Sequence, residues 1–453
     1  MDSSHPSQQQ AETRLVTSGR DTKAQKGFVN PPVFHGSTVL YPTAEDLHAH
    51  RGEFTYGRHG TPTTRAFQDT LMALEGPQCA GVGIVPSGLS AISTTLLSVL
   101  KTGDHILVCD NVYRPSRNFC NGMLARYGVE TTYFDPLIGA GIDKLFKPNT
   151  RAVLVEAPGS QSFEMPDIRA IAEVAHARDA LVIDDNTWAT PLYHRSLEQG
   201  VDISMQAATK YIGGHSDIMF GTISANAKAW PQIAEGIRLL GVCAGPDDVF
   251  LALRGLRTLS VRLAQHHRSG LDMARWLASR PEVARVLHPG LETDPGHAIW
   301  KRDFTGASGL FSIVLKPAPQ KAVDTMLNTL KLFGMGFSWG GFESLAIPFD
   351  CDGYRTATKW APGGPTLRLH IGSKVPTTSK RISIAASLPS RQQCEPAQKA
   401  SRLRSRQRAP RERAAAANVN ADAPTNGLIL KHLALASPID SHPDTEHGNV
   451  GSA

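Results

Sequence analysis

The sequence contains no run of about 18 consecutive apolar residues, so no membrane span is expected. Residues 1–27 are polar, with Gln8-Gln9-Gln10 and scattered charge, and lack the apolar centre of a signal peptide; they read as a disordered arm. The six cysteines (79, 109, 120, 243, 351 and 394) form no Cys-x-x-Cys pair, and Cys109 closes the apolar run Ile106-Leu107-Val108. That excludes a disulfide scaffold and points to reduced thiols in a cytoplasmic enzyme. His48/His50 and His266/His267 have no cysteine or carboxylate at zinc spacing, so no metal is expected. Gly-x-Gly-x-x-Gly is missing, and no Gly-Lys-Ser/Thr follows the one glycine-containing turn that opens a helix; neither a Rossmann fingerprint nor a P-loop is present. The chain has 47 basic and 41 acidic residues, but the excess is local: from Ser373 onward there are 12 Lys/Arg and 6 Asp/Glu, against 35 of each before it. The body is therefore neutral, which argues against a nucleic-acid surface there.

What is present suits a soluble α/β protein of two or more domains, with 453 residues, 41% hydrophobic and 19% charged. Apolar strand-like runs alternate with helical periods. His105–Cys109 ends at Asp110, with Tyr113 just beyond; Ala152–Val155 ends at Glu156-Ala-Pro-Gly-Ser160; Ile168–Arg178 is helical; Ala180–Ile183 ends at Asp184-Asp185. Such alternation implies a mostly parallel sheet covered on both faces, with ligands beyond the carboxyl ends of the strands, where Tyr113, Ser160 and Asp185 fall. Thr63–Glu75 reads as a helix, with Phe67, Leu71 and Leu74 at helical spacing. Residues 247–280 read as long helices on which Arg254, Arg257 and Arg262 are expected to be solvated or salt-bridged. From Gly309 a strand, a helix (Ala322–Leu330) and a last strand, Thr366–Gly372, suggest a smaller α+β domain.

The chemistry centres on two segments. Leu181-Val-Ile-Asp-Asp185-Asn-Thr-Trp188 ends a strand in carboxylates; Ala208-Thr209-Lys210-Tyr211, 25 residues on at Lys210, puts an amine beside a hydroxyl and ahead of Gly213-Gly214. An aldehyde cofactor with a pyridine ring and a phosphate needs this set: a Schiff-base amine, a carboxylate for the ring nitrogen, and hydroxyl and backbone N–H groups for the phosphate. Pro86-Ser-Gly88-Leu89 opens a helix whose first N–H groups form an anion site. Tyr56-Gly-Arg58 is either a plain turn or a phosphate clamp, and Arg368 either an exposed strand arginine or a bidentate carboxylate clamp.

These motifs resemble the pyridoxal-phosphate enzymes of cysteine and methionine metabolism. The likeness runs from about Thr17 to Gly372 and includes Gly214-His-Ser-Asp217, Leu253-Arg-Gly-Leu-Arg-Thr-Leu259 and Arg368-Leu-His-Ile-Gly372. Within that family Trp188, Glu156–Ser160, Gln206-Ala-Ala-Thr-Lys210 and Ser338-Trp-Gly-Gly-Phe-Glu-Ser344 are most similar to the cystathionine β-lyases. The resemblance implies a fold-type-I architecture, like aspartate aminotransferase: an arm (1–60) reaching a neighbouring subunit, a large α/β domain (61–255) and a small α+β domain (256–372). It implies that Lys210 holds pyridoxal 5'-phosphate and moves the α-proton, Asp185 keeps the ring nitrogen protonated, and Tyr113 stacks on the ring. Gly88, Leu89 and Thr209 bind the phosphate, with Tyr56 and Arg58 contributed by a neighbour. Arg368, helped by Ser338 and Trp339, clamps the carboxylate of an amino-acid thioether. The active unit would be a homodimer, within a homotetramer. The expected reaction is α,β-elimination of cystathionine, in methionine biosynthesis. Open alternatives are the γ-lyases and γ-synthases of the same family and a non-catalytic or damaged homologue.

After Gly372 the resemblance stops. The family continues with an acidic helix, whereas here Ser373-Lys-Val-Pro leads to the basic run Arg402–Arg413 and Ala414–Ala417. One choice of codons for Ser373–Ser390, read from one base earlier, encodes Leu-Glu-Gly-Pro-Asp-Asp-Leu-Glu and an amphipathic continuation. Residues 373–453 are thus expected to be a disordered basic tail of frameshift origin, genuine or from gene prediction. Loss of the closing helix would leave apolar surface uncovered on the small domain. Sequencing the gene across codon 372 tests this; an uninterrupted frame with other codons would sink it.

Overall fold

The alternating apolar runs assemble, in a computed structural model that describes residues 10–374, into a seven-stranded sheet. Its strands are β1 (Gly81–Val85), β2 (His105–Cys109), β3 (Glu130–Phe134), β4 (Thr150–Glu156), β5 (Leu181–Asp185), β6 (Ile203–Gln206) and β7 (Gly221–Ala225), in the order β1-β7-β6-β5-β4-β2-β3. β7 runs antiparallel to both its neighbours; the remaining pairs are parallel. Central strands must bury both faces, which is why β2 and β5 read as near-continuous apolar runs. Helices cover the sheet through periodic apolar faces: Ile168–Ala177 buries Ile168, Ile171, Ala172 and Ala175. The expected helix at Thr63–Glu75 spans Pro62–Glu75, started by proline at its first turn and a Thr61/Thr64 capping box.

A second sheet follows: β8 (Val283–Leu287), β9 (Leu310–Leu315), β10 (Leu345–Phe349) and β11 (Thr366–His370), antiparallel in the order β10-β11-β9-β8. The indole N–H of Trp188, just after β5, donates to the Leu310 carbonyl at 2.9 Å, tying the two sheets beside the cleft. Gln320–Thr329 is the helix expected at Ala322–Leu330. Among the described residues no helix is long and apolar enough to cross a membrane, and Cys79, Cys109, Cys120, Cys243 and Cys351 are free thiols.

Two expectations are corrected. The arm is not disordered over its whole length: Ala11–Thr17 is a helix, Leu15 is fully buried, and Arg257 donates to the carbonyls of Leu15 (2.6 Å) and Ser18 (2.8 Å). One apolar side chain and two backbone acceptors suffice to dock a short polar segment. Nor are Arg257 and Arg262 solvated or salt-bridged. Arg262 donates to the carbonyls of Tyr211 (2.6 Å), Ile212 (3.2 Å) and Gly255 (2.7 Å). Burial pushes both guanidinium pKa values down to about 10. Arg254 is exposed, as expected. The frameshift reading and the basic tail fall, from residue 375, outside the described residues, as do residues 1–9 of the arm.

Candidate active site

The carboxyl ends of β2, β4, β5 and β6 open onto one cleft. Lys210 lies in the turn after β6, where its N–H donates to the Ala207 carbonyl (2.9 Å) and the Gly214 N–H donates to the Lys210 carbonyl (2.7 Å). Gly214 has φ +75°, and a Cβ there would stand 2.0 Å from a nitrogen of Arg262. The glycine is what lets that guanidinium staple the backbone behind Lys210. Lys210 Nζ donates to Ser338 Oγ at 2.6 Å and lies 5.4 Å from the Trp339 ring. Burial pushes the amine down to about 8; Arg368 adds to the shift, and Asp185 and Glu343 oppose it.

Asp185 ends β5 beside Glu156, its register partner at the end of β4. Burial raises both carboxyls, and the environment separates them. Thr187 donates its N–H (3.2 Å) and hydroxyl to Asp185, and Lys210 is near, so the rise is checked. Glu156 lies beside Asp185 and is pushed well above the usual range, relieved chiefly by the Tyr113 N–H at 2.6 Å. Of the two, Asp185 is the carboxyl whose donors and nearby amine favour its charged form. Thr187 also fixes the neighbouring segment, its hydroxyl accepting from the Ala207 N–H at 2.8 Å. Tyr113, just past β2, is partly exposed at the cleft, and Glu156 and Asp185 add to burial in raising its pKa.

The helix Gly88–Val99 points its N-terminus at the same turn. Its first intrahelical donor is Ala91, bonded to the Ser87 carbonyl at 3.0 Å, which leaves the N–H groups of Gly88 and Leu89 ahead of the ladder. A Cβ at Gly88 would stand 2.4 Å from that of Ala207, so only glycine allows the two segments to meet. Thr209 is engaged within the chain: both its N–H (3.0 Å) and its hydroxyl (3.1 Å) point at the Phe220 carbonyl, so a phosphate would have to draw the hydroxyl away.

Arg368 on β11 completes the cleft, donating to the Ser338 carbonyl at 3.2 Å; burial lowers its pKa to about 10. Lys210, Ser338, Trp339 and Arg368 thus come together from two sheets. Tyr56 and Arg58 do not join them within this chain: Arg58 sits 5.7 Å from the Tyr56 ring and donates to the Arg238 carbonyl at 3.3 Å. Residue-by-residue reading assigned no role to Glu156, Arg262, Glu343 or His370. Glu156 could have been found from its place at a strand end beside Asp185. The others have partners far away in sequence, as when Ser216 Oγ donates to Glu343 at 2.7 Å.

A buried amine of depressed pKa, a carboxyl whose donors favour its anion, a glycine-tight helix N-terminus and a guanidinium beside them fit pyridoxal 5'-phosphate. Fold and site together define a pyridoxal-phosphate-dependent enzyme with a large mostly parallel sheet and a smaller antiparallel one. The family model described as Cys/Met metabolism PLP-dependent enzyme matches residues 12–358, and the chain belongs to that family. It is 52% identical over 364 residues to a putative cystathionine beta-lyase of Rhizobium johnstonii, covering 80% of this chain and 91% of the relative. It is 43% identical over 372 residues to a cystathionine beta-lyase of Escherichia coli, covering 80% and 94%. Among solved structures, a cystathionine gamma synthase of Xanthomonas oryzae, in complex with aminoacrylate and cysteine, superposes with a TM-score of 0.76 at 30% identity, over 84% of this chain and 97% of that one.

Proposed function

We propose that the chain is a carbon–sulfur lyase that cleaves cystathionine by α,β-elimination to homocysteine, pyruvate and ammonia, serving methionine biosynthesis. The observation that carries this is the convergence on Lys210. Ser338 bonds its amine, Trp339 lies over it, and Arg368 stands behind Ser338 to receive a carboxylate. The beta-lyase names of the relatives at 52% and 43% identity support the same reaction. Pyridoxal phosphate, when bound, supplies the electron sink for the pair released at Cα. Asp185 holds the negative charge that its ring nitrogen requires. Gly88 and Leu89 offer N–H groups to the phosphate. Arg368 orients the substrate by its carboxylate. Lys210, whose pKa burial lowers to about 8, is the base that takes the Cα proton. The Cβ–S bond then breaks, the thiol leaves with a proton, and water hydrolyses the remaining three-carbon fragment to pyruvate and ammonia.

The active unit in this reading is a cytoplasmic homodimer, within a homotetramer, in which the 1–60 arm lends Tyr56 and Arg58 to a neighbour's phosphate. Phe28, Leu40, Leu47 and Tyr56 are exposed along that arm, which supports an interface there. The free thiols suit a reducing compartment. Incubating the purified, cofactor-loaded protein with cystathionine decides the reaction: homocysteine plus pyruvate is expected, whereas cysteine plus 2-oxobutyrate, or no product, overturns it.

A further inference from the structure

The strand β11 holds a loop with its side chains. Arg368 and His370 are two residues apart and project to one face. Arg368 donates to the carbonyl of Ser338 at 3.2 Å, and the Gly340 N–H donates to His370 Nε2 at 3.1 Å. Alternate strand residues thus catch alternate loop residues, with Trp339 between them. On its other side, His370 Nδ1 lies 3.0 Å from the Glu343 carbonyl. A carbonyl only accepts, so Nδ1 carries the proton and Nε2 the lone pair; the backbone at both ends selects one neutral tautomer. The ring is 1% exposed and packed by His266 at 5.3 Å and Tyr211 at 6.0 Å. Burial first, then His266, keeps its pKa well below the usual value, in keeping with a permanent acceptor.

The loop it holds rests directly on Lys210. Gly340 has φ +91°, and a Cβ there would stand 2.8 Å from the Lys210 carbonyl carbon. Pinning Gly340 therefore pins Ser338, which bonds the Lys210 amine, and Trp339, 5.4 Å from it. Arg368 also holds this loop, but in the lyase reading its guanidinium is shared with a substrate carboxylate. The His370 bonds carry no such second duty.

We propose that His370 is a positioning residue, whose Nε2 lone pair keeps Ser338, Trp339 and Gly340 seated on Lys210 while Arg368 engages substrate. Two substitutions separate its two bonds. His370→Gln places an acceptor oxygen near the position of Nε2; His370→Asn places a donor near Nδ1 and nothing at Nε2. Both lose the ring, so their packing loss is alike. In the holoenzyme, His370→Asn is expected to raise KM for cystathionine about tenfold, as for one lost buried hydrogen bond. It should also weaken energy transfer from Trp339 to the bound cofactor. His370→Gln should stay within about threefold of the parent on the same scale. Equal behaviour of the two variants overturns the proposal. Should neither fold, nitrogen-15 spectra of histidine-labelled parent holoenzyme decide: a Nδ1–H tautomer, unchanged between about pH 6 and 9, is expected, and an imidazolium or an Nε2–H tautomer refutes it. The proposal leans on the lyase reading for its kinetic arm only. If the parent makes no homocysteine that reading fails, and the fluorescence and tautomer still judge His370.

Discussion

Replacing Arg368 by leucine tests the site at the point where its two sheets meet. The guanidinium is mostly buried on β11, bonded to the Ser338 carbonyl at 3.2 Å, with its remaining donors open to the cleft. A carboxylate held there by two charge-assisted bonds of about 1.5–3 kcal/mol each loses about 3–6 kcal/mol when the arginine goes. That corresponds to a fall in kcat/KM of about 10²–10⁴-fold. The same change acts on Lys210, whose pKa of about 8 is set first by burial and next by Arg368. Removing a neighbouring cation favours the ammonium form, so the Lys210 pKa must rise toward its ordinary 10.5, stopping short because burial remains. The neutral amine then exists in quantity only at higher pH. Capture of added pyridoxal phosphate by apoenzyme, followed by absorbance, should shift its pH midpoint upward. A kcat/KM loss below about tenfold, together with a capture midpoint that stays or falls, would refute the reasoning and return Arg368 to an ordinary strand arginine.

Burial raises Glu75 from 4.5 to about 8, so the folded chain keeps a proton that the unfolded chain releases. Its contribution to stability is complete below the unfolded value and is lost as pH rises toward the folded one. Glu75→Gln should therefore match the parent near pH 4.5 and exceed it by on the order of 3 kcal/mol at pH 7 in urea unfolding; equal stability at both pH values contradicts this. Asp110 is fully buried. It bonds Arg117, Arg355 at 3.3 Å and the N–H groups of Thr356, Ala357 and Thr358 at 3.0, 3.1 and 2.9 Å. Asp110→Ala leaves the buried Arg117 without its carboxylate and should cost about 3–5 kcal/mol in the same assay, against the 0–1 kcal/mol of a surface pair. Gly340→Ala must move the loop off Lys210, because its Cβ would meet backbone at 2.8 Å and φ is +91°. A fall in kcat/KM of at least about tenfold, with a change in melting temperature of only a few degrees, is expected; unchanged kinetics would show that the loop is not held there.

Much of this was legible before any coordinates. β2, β4 and β5 announce themselves as short apolar runs, because strands buried on both faces can carry little else. Asp185 was found because it closes an apolar strand run, Lys210 because it stands beside a hydroxyl and ahead of a glycine pair, and Gly88 because it opens a helix. What could not be read was any interaction whose partner lies far along the chain. Arg262 on a helix face looks like a solvated cation until the Tyr211 carbonyl, 51 residues away, comes within 2.6 Å. Leu15 looks like a stray apolar residue in a polar arm until Arg257 bonds its carbonyl from 242 residues away.

The sequence by itself determined the mostly parallel sheet and the cofactor class, because strand burial and Schiff-base chemistry impose local patterns of residue type. Tertiary structure decided how the site residues are tuned. It sets Lys210 near 8 by enclosing it beside Arg368, separates Glu156 from Asp185 by what donates to each, and seats Ser338 and Trp339 through His370. Desolvation, distance and hydrogen-bond direction are properties of packed neighbours, and those neighbours are remote in sequence.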